Sequence, residues 1–363
     1  MSPPYDSTTA VELASAKIFI PDTVTSTWPW PRRLNQYYSK VTVESAAWFA
    51  SFKAFNSARA LDAFERIDSD LVSCLGYPIA SKAHVRSACD VMRIFFVIDE
   101  YSDVSKPSDV REQKNVAMDA LHNPHKPRPK GEWVGGEIVR QFWERTIQDA
   151  SAQSQKRFIA TFELYLESMV QQANDRNEHC IRDIESYIDV RRDTVAMKAV
   201  FALLELGLDI PDEVISHPTI EAMAIASMDM VFIDNDIASY NMEQARGDAS
   251  HNMITIVMRD LDTDVNGAML WVADLHMKTQ KKFLEAMATV PKWGEPIDPQ
   301  VREYCDGLGN WVRANYEWNF ETERYLGTKG PEIQNKKWMP LMPKDCLKDS
   351  REIGPVHVDC SLL

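Results

Sequence analysis

The sequence predicts an all-α protein, one domain built as a bundle of ten or more helices, and three observations carry that prediction. Glycine is scarce, 13 of 363 residues, about half the usual ~7%, whereas sandwiches and propellers use glycine in tight, left-handed turns. From Ser45 onward the apolar residues recur at helical spacing, and no run of short β-branched segments interrupts them. The breaks between periodic stretches are short, so nothing reads as an inter-domain linker.

Residues 1–40 carry Pro3, Pro4, Pro21 and Trp28-Pro29-Trp30-Pro31 with few periodic apolar positions, and read as an extended arm packed on the body. Residues 41–345 form the helical domain and 346–363 a C-terminal tail. Within the domain the spacing predicts helices over 44–56, 59–74, 81–101, 108–121, 136–150, 152–176, 181–207, 219–246, 252–260, 266–288 and 298–325. Gly76-Tyr77-Pro78, Pro107, the 124–131 stretch, Pro211, Pro218, Gly247-Asp248, Pro291 and Pro296 separate them, because proline lacks the helical N–H and glycine favours helix ends. Pro299 falls in the first turn of the last helix, where a missing N–H costs nothing. The segment from His122 to Lys130 reads as a solvated basic loop, since His122 and His125 have no Cys or second His pair to complete a metal site.

Composition narrows the function. With 45% hydrophobic residues and 10% aromatics the chain is globular. Forty Lys and Arg against 54 Asp and Glu leave a net charge of -14, which argues against a nucleic-acid partner and against docking on anionic lipid. Six cysteines form no C-x-x-C pair. No basic stretch followed by an apolar core opens the chain, and Lys198 and Glu205 interrupt the apolar stretch Val195–Leu208, short of the ~20 residues of a membrane span. A soluble, cytoplasmic protein with reduced thiols is expected, as a monomer or a homodimer. Cys360-Ser361-Leu362-Leu363 fits a prenylation box, but no polybasic second signal precedes it, so it reads as a chance match.

Four constellations could carry chemistry. In Phe95-Phe96-Val97-Ile98-Asp99-Glu100-Tyr101-Ser102-Asp103, a rotation of about 100° per residue puts Asp99 and Asp103 on one face, with Phe95, Phe96 and Met92 on that side in the preceding turns. Asn235, Ser239 and Glu243, at i, i+4 and i+8, align an amide oxygen, a hydroxyl and a carboxylate, with Val231 on the same face deeper in the helix. All are hard oxygen donors, which suit Mg2+. Arg191-Arg192-Asp193-Thr194 supplies cations, and Trp311, Trp318 and Tyr325 recur every seven residues with Arg324 adjacent. Taken singly, each has a plainer reading as a solvated helix end, surface charge or core packing. Together they match what holds a Mg2+-diphosphate at the mouth of an apolar, aromatic-lined pocket.

At these residues the sequence resembles the class I terpene synthases, specifically the sesquiterpene synthases of basidiomycete fungi. Asp99-Glu100-Tyr101-Ser102-Asp103 is similar to the family's aspartate-rich motif, with Glu100 in its second position. Asn235, Asp236, Ser239 and Glu243 match its N-D-x-x-S-x-x-x-E motif, and Arg324-Tyr325 matches its C-terminal Arg-Tyr pair. Arg192 resembles the diphosphate-sensing arginine. The resemblance covers nearly the whole chain, and the wording as a whole is most similar to the Δ6-protoilludene synthase group. It implies a single-domain helical bundle with a central apolar active-site cavity and a prenyl diphosphate, farnesyl diphosphate, as substrate. It also implies three magnesium ions held by Asp99, Asp103, Asn235, Ser239 and Glu243. Arg192, Asn235, Arg324 and Tyr325 would then bind diphosphate, and Met92, Phe95, Phe96, Val195, Ala196, Val231, Trp311 and Trp318 would line the pocket. The implied reaction is 1,11-closure through a humulyl-type cation to Δ6-protoilludene; 1,10-closure to another product, chain-elongating prenyl transfer and a non-catalytic helical binding protein are the alternatives. Two departures stand out: Ala196 where the family commonly has glycine, and Met242 where some relatives carry lysine.

Overall fold

The computed structural model describes residues 16–347 and 356–358, and among these the architecture is a helical bundle with one small strand pair. In chain order the helices are α1 (Tyr38–Ser51), α2 (Ala58–Glu65), α3 (Ser69–Gly76), α4 (Lys82–Val104), α5 (Pro107–His122), α6 (Gly135–Thr146), α7 (Ala152–Asn177) and α8 (Ile184–Thr194). They continue as α9 (Met197–Leu204), α10 (Asp212–Ile215), α11 (Pro218–Arg246), α12 (Met253–Asp260), α13 (Val265–Ala288), α14 (Ile297–Glu321), α15 (Glu323–Leu326) and α16 (Gly330–Lys336).

Local chemistry sets the ends of the long helices. Ser81, Ser151, Asp264 and Asn252 cap α4, α7, α13 and α12 through side-chain oxygens that accept from backbone N–H groups of the first turn. Pro107 and Pro218 open α5 and α11. Gly247, at φ +82°, closes α11 in the left-handed conformation that glycine adopts without strain. The apolar faces then bury one another: α11 packs on α13 and α14, α14 on α3, α3 on α4, and α7 on α5 and α9. Trp143, Trp311, Trp318, Phe142, Phe158 and Phe162 are among the largest fully buried side chains.

Three predicted helices are broken in ways that spacing does not reveal. The 59–74 stretch divides at Asp68, which sits at φ +48° and caps the Leu71 N–H at 3.2 Å. The 181–207 stretch divides at Ala196, φ +62°. The last predicted helix stops at Thr322, whose hydroxyl donates to the Ile67 carbonyl at 2.7 Å. In each case apolar periodicity continues across the break, and a tertiary contact or a left-handed residue redirects the chain. The short α10 and α16 lie outside the predicted stretches.

One short strand pair accompanies the helices. Lys17–Phe19 (β1) pairs antiparallel with Trp338–Pro340 (β2), in the register Ile18↔Met339. The segment that follows β1 is fastened to α14 above all by Arg313, which donates to the carbonyls of Val24 at 2.9 Å, Thr25 at 2.7 Å and Trp30 at 3.1 Å, with Trp28 donating to the Gly309 carbonyl at 3.0 Å and Trp30 to Asp306 at 3.1 Å. The basic loop is exposed as expected except at Arg128, which is buried between Asp119 and Glu132. His125 meets Glu144 at 3.1 Å. Residues 356–358 bond to this same region, with Gly131 N–H on the Val358 carbonyl at 3.0 Å. Cys360 lies outside the described residues. Cys74, Cys89, Cys180, Cys305 and Cys346 are free thiols. No helix among the described residues is long and apolar enough to cross a membrane.

Candidate active site

A cavity of 630 Å³ lies between α4, α7, α8, α11 and α14. Met92, Phe95, Phe96, Val195, Ala196, Val231, Trp311 and Trp318 all line it, as do Asp99, Asp103, Asn235, Glu243, Arg324 and Tyr325. The helix phase explains this: apolar residues on the inner faces of α4 and α11 give way, one or two turns on, to oxygen donors on the same faces. Aromatic contacts fix the wall. Phe95 stacks against Phe162 at 5.5 Å, and Phe96 lies 5.7 Å from Trp318. Gly76 lets α3 approach Trp311; a Cβ there would lie 2.5 Å from the indole. Gly76→Ala is expected to push Trp311 off its seat and cost about 1–3 kcal/mol, read as a lower urea midpoint together with an altered product profile.

The polar rim is cross-linked. Arg324 donates to Asp99 at 3.1 Å, reaches Glu100 at 3.7 Å, and lies 4.6 Å over the Phe96 ring. Arg176 stands 3.8 Å from Asp103. Asn235 spans two cationic walls, donating to the Tyr325 hydroxyl at 2.9 Å and accepting from Arg191 at 2.8 Å. Ser239 sits just behind the cavity surface, where Asn252 donates to its hydroxyl at 3.2 Å and to Glu243 at 2.9 Å.

Arg192 is where sequence and structure part. Its guanidinium is held by both oxygens of Asp229 at 2.8 Å, and it is not among the residues that line the cavity. The neighbouring Arg191 lines it instead. One residue is about 100° of helix rotation, and α8 is phased by Tyr187 and Arg191, one turn apart, which both bond to Asp236 on α11. Asp236 is 2% exposed and also accepts the Met253 N–H at 2.9 Å, so one carboxylate joins α8, α11 and the start of α12. Sequence reasoning placed Arg191 among the cations and Asp236 within the N-D-x-x-S-x-x-x-E motif but gave neither of them, nor Tyr187, a role; the Tyr187–Arg191 spacing of one turn was the available signal that both meet Asp236.

The electrostatics follow from burial. The Glu243 carboxyl is pushed up to about 7, chiefly by burial and then by the nearby Asp236 charge, with Ser239 and Asn252 pulling the other way. Burial drives His251 down to about 3, helped by Arg191. Arg191 and Arg324 are both buried, which opposes their charge, but Asp236 on one side and Tyr325 and Asp99 on the other raise them further above their ordinary value. Among the described residues no three Asp, Glu, His or Cys side chains gather as a metal cluster. The oxygen donors instead face one another across the mouth from α4 and α11. A carboxylate in a row with an amide and a hydroxyl oxygen fits a hard divalent cation.

Ala196, at the break between α8 and α9, holds φ +62° and contributes to the cavity wall. A left-handed alanine costs ~1–2 kcal/mol, and glycine's looser unfolded chain offsets ~0.4–1 kcal/mol of any gain. Ala196→Gly is therefore expected to stabilise the protein by about 0.5 kcal/mol, seen as a higher urea midpoint, and to change product proportions by removing a methyl from the wall.

Comparison with known proteins agrees with this geometry. Residues 90–282 match the family model described as terpene synthase family 2, C-terminal metal binding. A Delta(6)-protoilludene synthase of Stereum hirsutum is 58% identical over 348 residues, covering 96% of this chain and 93% of that protein. A Delta(6)-protoilludene synthase of Armillaria gallica is 54% identical over 349 residues, covering 96% of this chain and all of that protein. Among solved structures, germacradien-4-ol synthase from Streptomyces citricolor superposes with a TM-score of 0.72 at 20% identity, covering 82% of this chain and 99% of that one, a likeness of fold. With a family model spanning more than half of its length and relatives more than half identical along nearly all of it, the chain belongs to the terpene synthases of family 2.

Proposed function

We propose that the protein is a Mg2+-dependent sesquiterpene cyclase that ionises farnesyl diphosphate and closes it by 1,11-bond formation to Δ6-protoilludene, releasing diphosphate. The observation that carries this reading is the juxtaposition of an aromatic-lined 630 Å³ cavity with opposed oxygen donors and cations at its mouth. The names of the relatives from Stereum and Armillaria support the product, and the five free thiols among the described residues suit a cytoplasmic setting.

Asp99 on α4 and Asn235, Ser239 and Glu243 on α11 would hold the metal, three ions as the family resemblance implies, with Asp103 beside them. Bound there, Mg2+ supplies Lewis-acid stabilisation of the leaving diphosphate. The chain's own cations do the rest of that work. Arg191, Arg324 and the Tyr325 hydroxyl point forked and single donors at the same volume, preorganised by Asp236, Asp99 and Asn235. Their charge falls where negative charge accumulates as the allylic carbon–oxygen bond breaks. Below them Phe95, Phe96, Trp311 and Trp318 exclude water and offer π-faces to the carbocation, each worth ~0.5–2 kcal/mol. The shape of this wall selects how the chain folds and which carbons join.

Purified protein given farnesyl diphosphate and Mg2+ is expected to release inorganic diphosphate and a volatile C15 hydrocarbon, and EDTA is expected to stop both. Failure to turn over any prenyl diphosphate would contradict the proposal. So would longer prenyl chains on adding isopentenyl diphosphate.

A further inference from the structure

Helices α11 and α14 are stitched together by side chains that donate to backbone carbonyls. Ser227 donates to the Leu308 carbonyl at 2.8 Å, Asn315 to the Val231 carbonyl at 3.1 Å and Asn319 to the Asp234 carbonyl at 3.1 Å. The two asparagines stand one turn apart on α14, and both are buried. They differ in what they face: Asn315 lines the main cavity and Asn319 does not.

Asn315 follows Trp311 by one turn and precedes Trp318 by one turn, so helix phase sets it between the two indoles of the cavity wall. Its bond to Val231 identifies the poles of the amide, because a carbonyl only accepts and the group that meets it must be the NH2. The Oδ1 pole accepts no hydrogen bond among the described residues, and it is not sealed in the packing as the Asn319 Oδ1 is. It therefore borders the cavity. A carbonyl held against an apolar space without a donor is costly, and its negative end suits an electron-poor atom rather than a neutral alkyl group. A neutral amide oxygen answers positive charge through its dipole. It is a far weaker nucleophile than a carboxylate, so it can hold a carbocation without trapping it as an ester.

We propose that Asn315 is a specificity-determining residue of the proposed reaction. Its carbonyl, fixed by the Val231 bond, stabilises the carbocation over the aromatic wall and keeps it from losing a proton before ring closure is complete. This role rests on the cyclisation proposed above; the recognition of a cation by the Asn315 carbonyl does not.

The test compares wild-type protein with Asn315→Leu and Asn319→Leu. Each substitution removes one bond between α11 and α14, but only the first removes a carbonyl from the cavity. With farnesyl diphosphate and Mg2+, Asn315→Leu is expected to release diphosphate within about threefold of the wild-type rate, since Arg191, Arg324 and Tyr325 are untouched. The ratio of acyclic and monocyclic C15 alkenes to the main product is expected to rise at least tenfold. Asn319→Leu is expected to keep the wild-type profile. An unchanged profile in Asn315→Leu, or the same shift in both variants, overturns the proposal. Should Asn315→Leu lack the wild-type far-ultraviolet circular dichroism, Asn315→Ala is read by the same criteria. A second measurement is independent of turnover: calorimetric titration with a C15 trialkylammonium ion and with its uncharged carbon isostere, in the presence of Mg2+ and inorganic diphosphate. The wild-type preference for the ion is expected to fall at least tenfold in Asn315→Leu and to stay within about twofold in Asn319→Leu. Should wild-type protein turn over no prenyl diphosphate, the proposed reaction falls and this preference decides the site: its loss in Asn315→Leu supports cation recognition, and its persistence, or its absence from the wild-type protein, refutes it.

Discussion

Glu243→Gln protein is expected to fold like its parent and to turn over farnesyl diphosphate at least ~100-fold more slowly. Glu243 closes the row of oxygen donors on α11, where Asn252 orients it at 2.9 Å. Glutamine keeps the volume and can still accept from Asn252, but it removes the charge that would bind a cation. Stability should not suffer. Burial holds the Glu243 carboxyl near 7 in the fold, well above an unfolded glutamate, so between those values the folded chain holds the extra proton. Metal-free stability therefore falls as pH rises from the ordinary carboxylate range through about 7. The amide removes that penalty, and the metal-free midpoint of Glu243→Gln at pH 8 is expected to equal or exceed that of the parent. Asn235→Ala should lose turnover similarly, because it removes one oxygen donor and unties Arg191 and Tyr325 together. Near-normal turnover in both variants would refute the assigned row.

The two adjacent arginines give a sharper contrast. Arg191→Met is expected to lower kcat/KM by ~10²–10³, since Arg191 reaches the cavity and is aimed by Asp236 at 3.0 Å. Arg192→Met is expected to stay within about threefold. It leaves Asp229 without its fork, and a half-exposed pair of this kind is worth ~0.2–1 kcal/mol, so a small fall in midpoint should be its main effect. The reverse ranking would restore Arg192 as the diphosphate donor. Asp236→Asn should resemble Arg191→Met in kcat, and should also loosen the start of α12, whose Met253 N–H it accepts.

That contrast shows where sequence reasoning reached its limit. The inner faces of α4 and α11 were legible because side-chain direction follows from spacing alone. All eight predicted apolar wall residues line the cavity. The phase of α8 was not legible: whether Arg191 or Arg192 faces inward depends on Asp236, a partner on another helix. The breaks at Asp68 and Ala196 were hidden for a related reason, since a left-handed residue leaves no mark in hydrophobic periodicity. The β1–β2 pair is three residues long on each side and joins chain ends far apart in sequence, so no local pattern announces it. Its neighbour Arg313 looks like any helical surface arginine until the arm's carbonyls close around it.

The most direct measurement is the gas chromatogram and mass spectrum of the hydrocarbon released from farnesyl diphosphate and Mg2+. A dominant peak that co-elutes with authentic Δ6-protoilludene and shares its fragmentation is the expected result. A dominant product traceable to 1,10-closure would contradict the assigned cyclisation, and an absence of any C15 hydrocarbon would contradict the account as a whole.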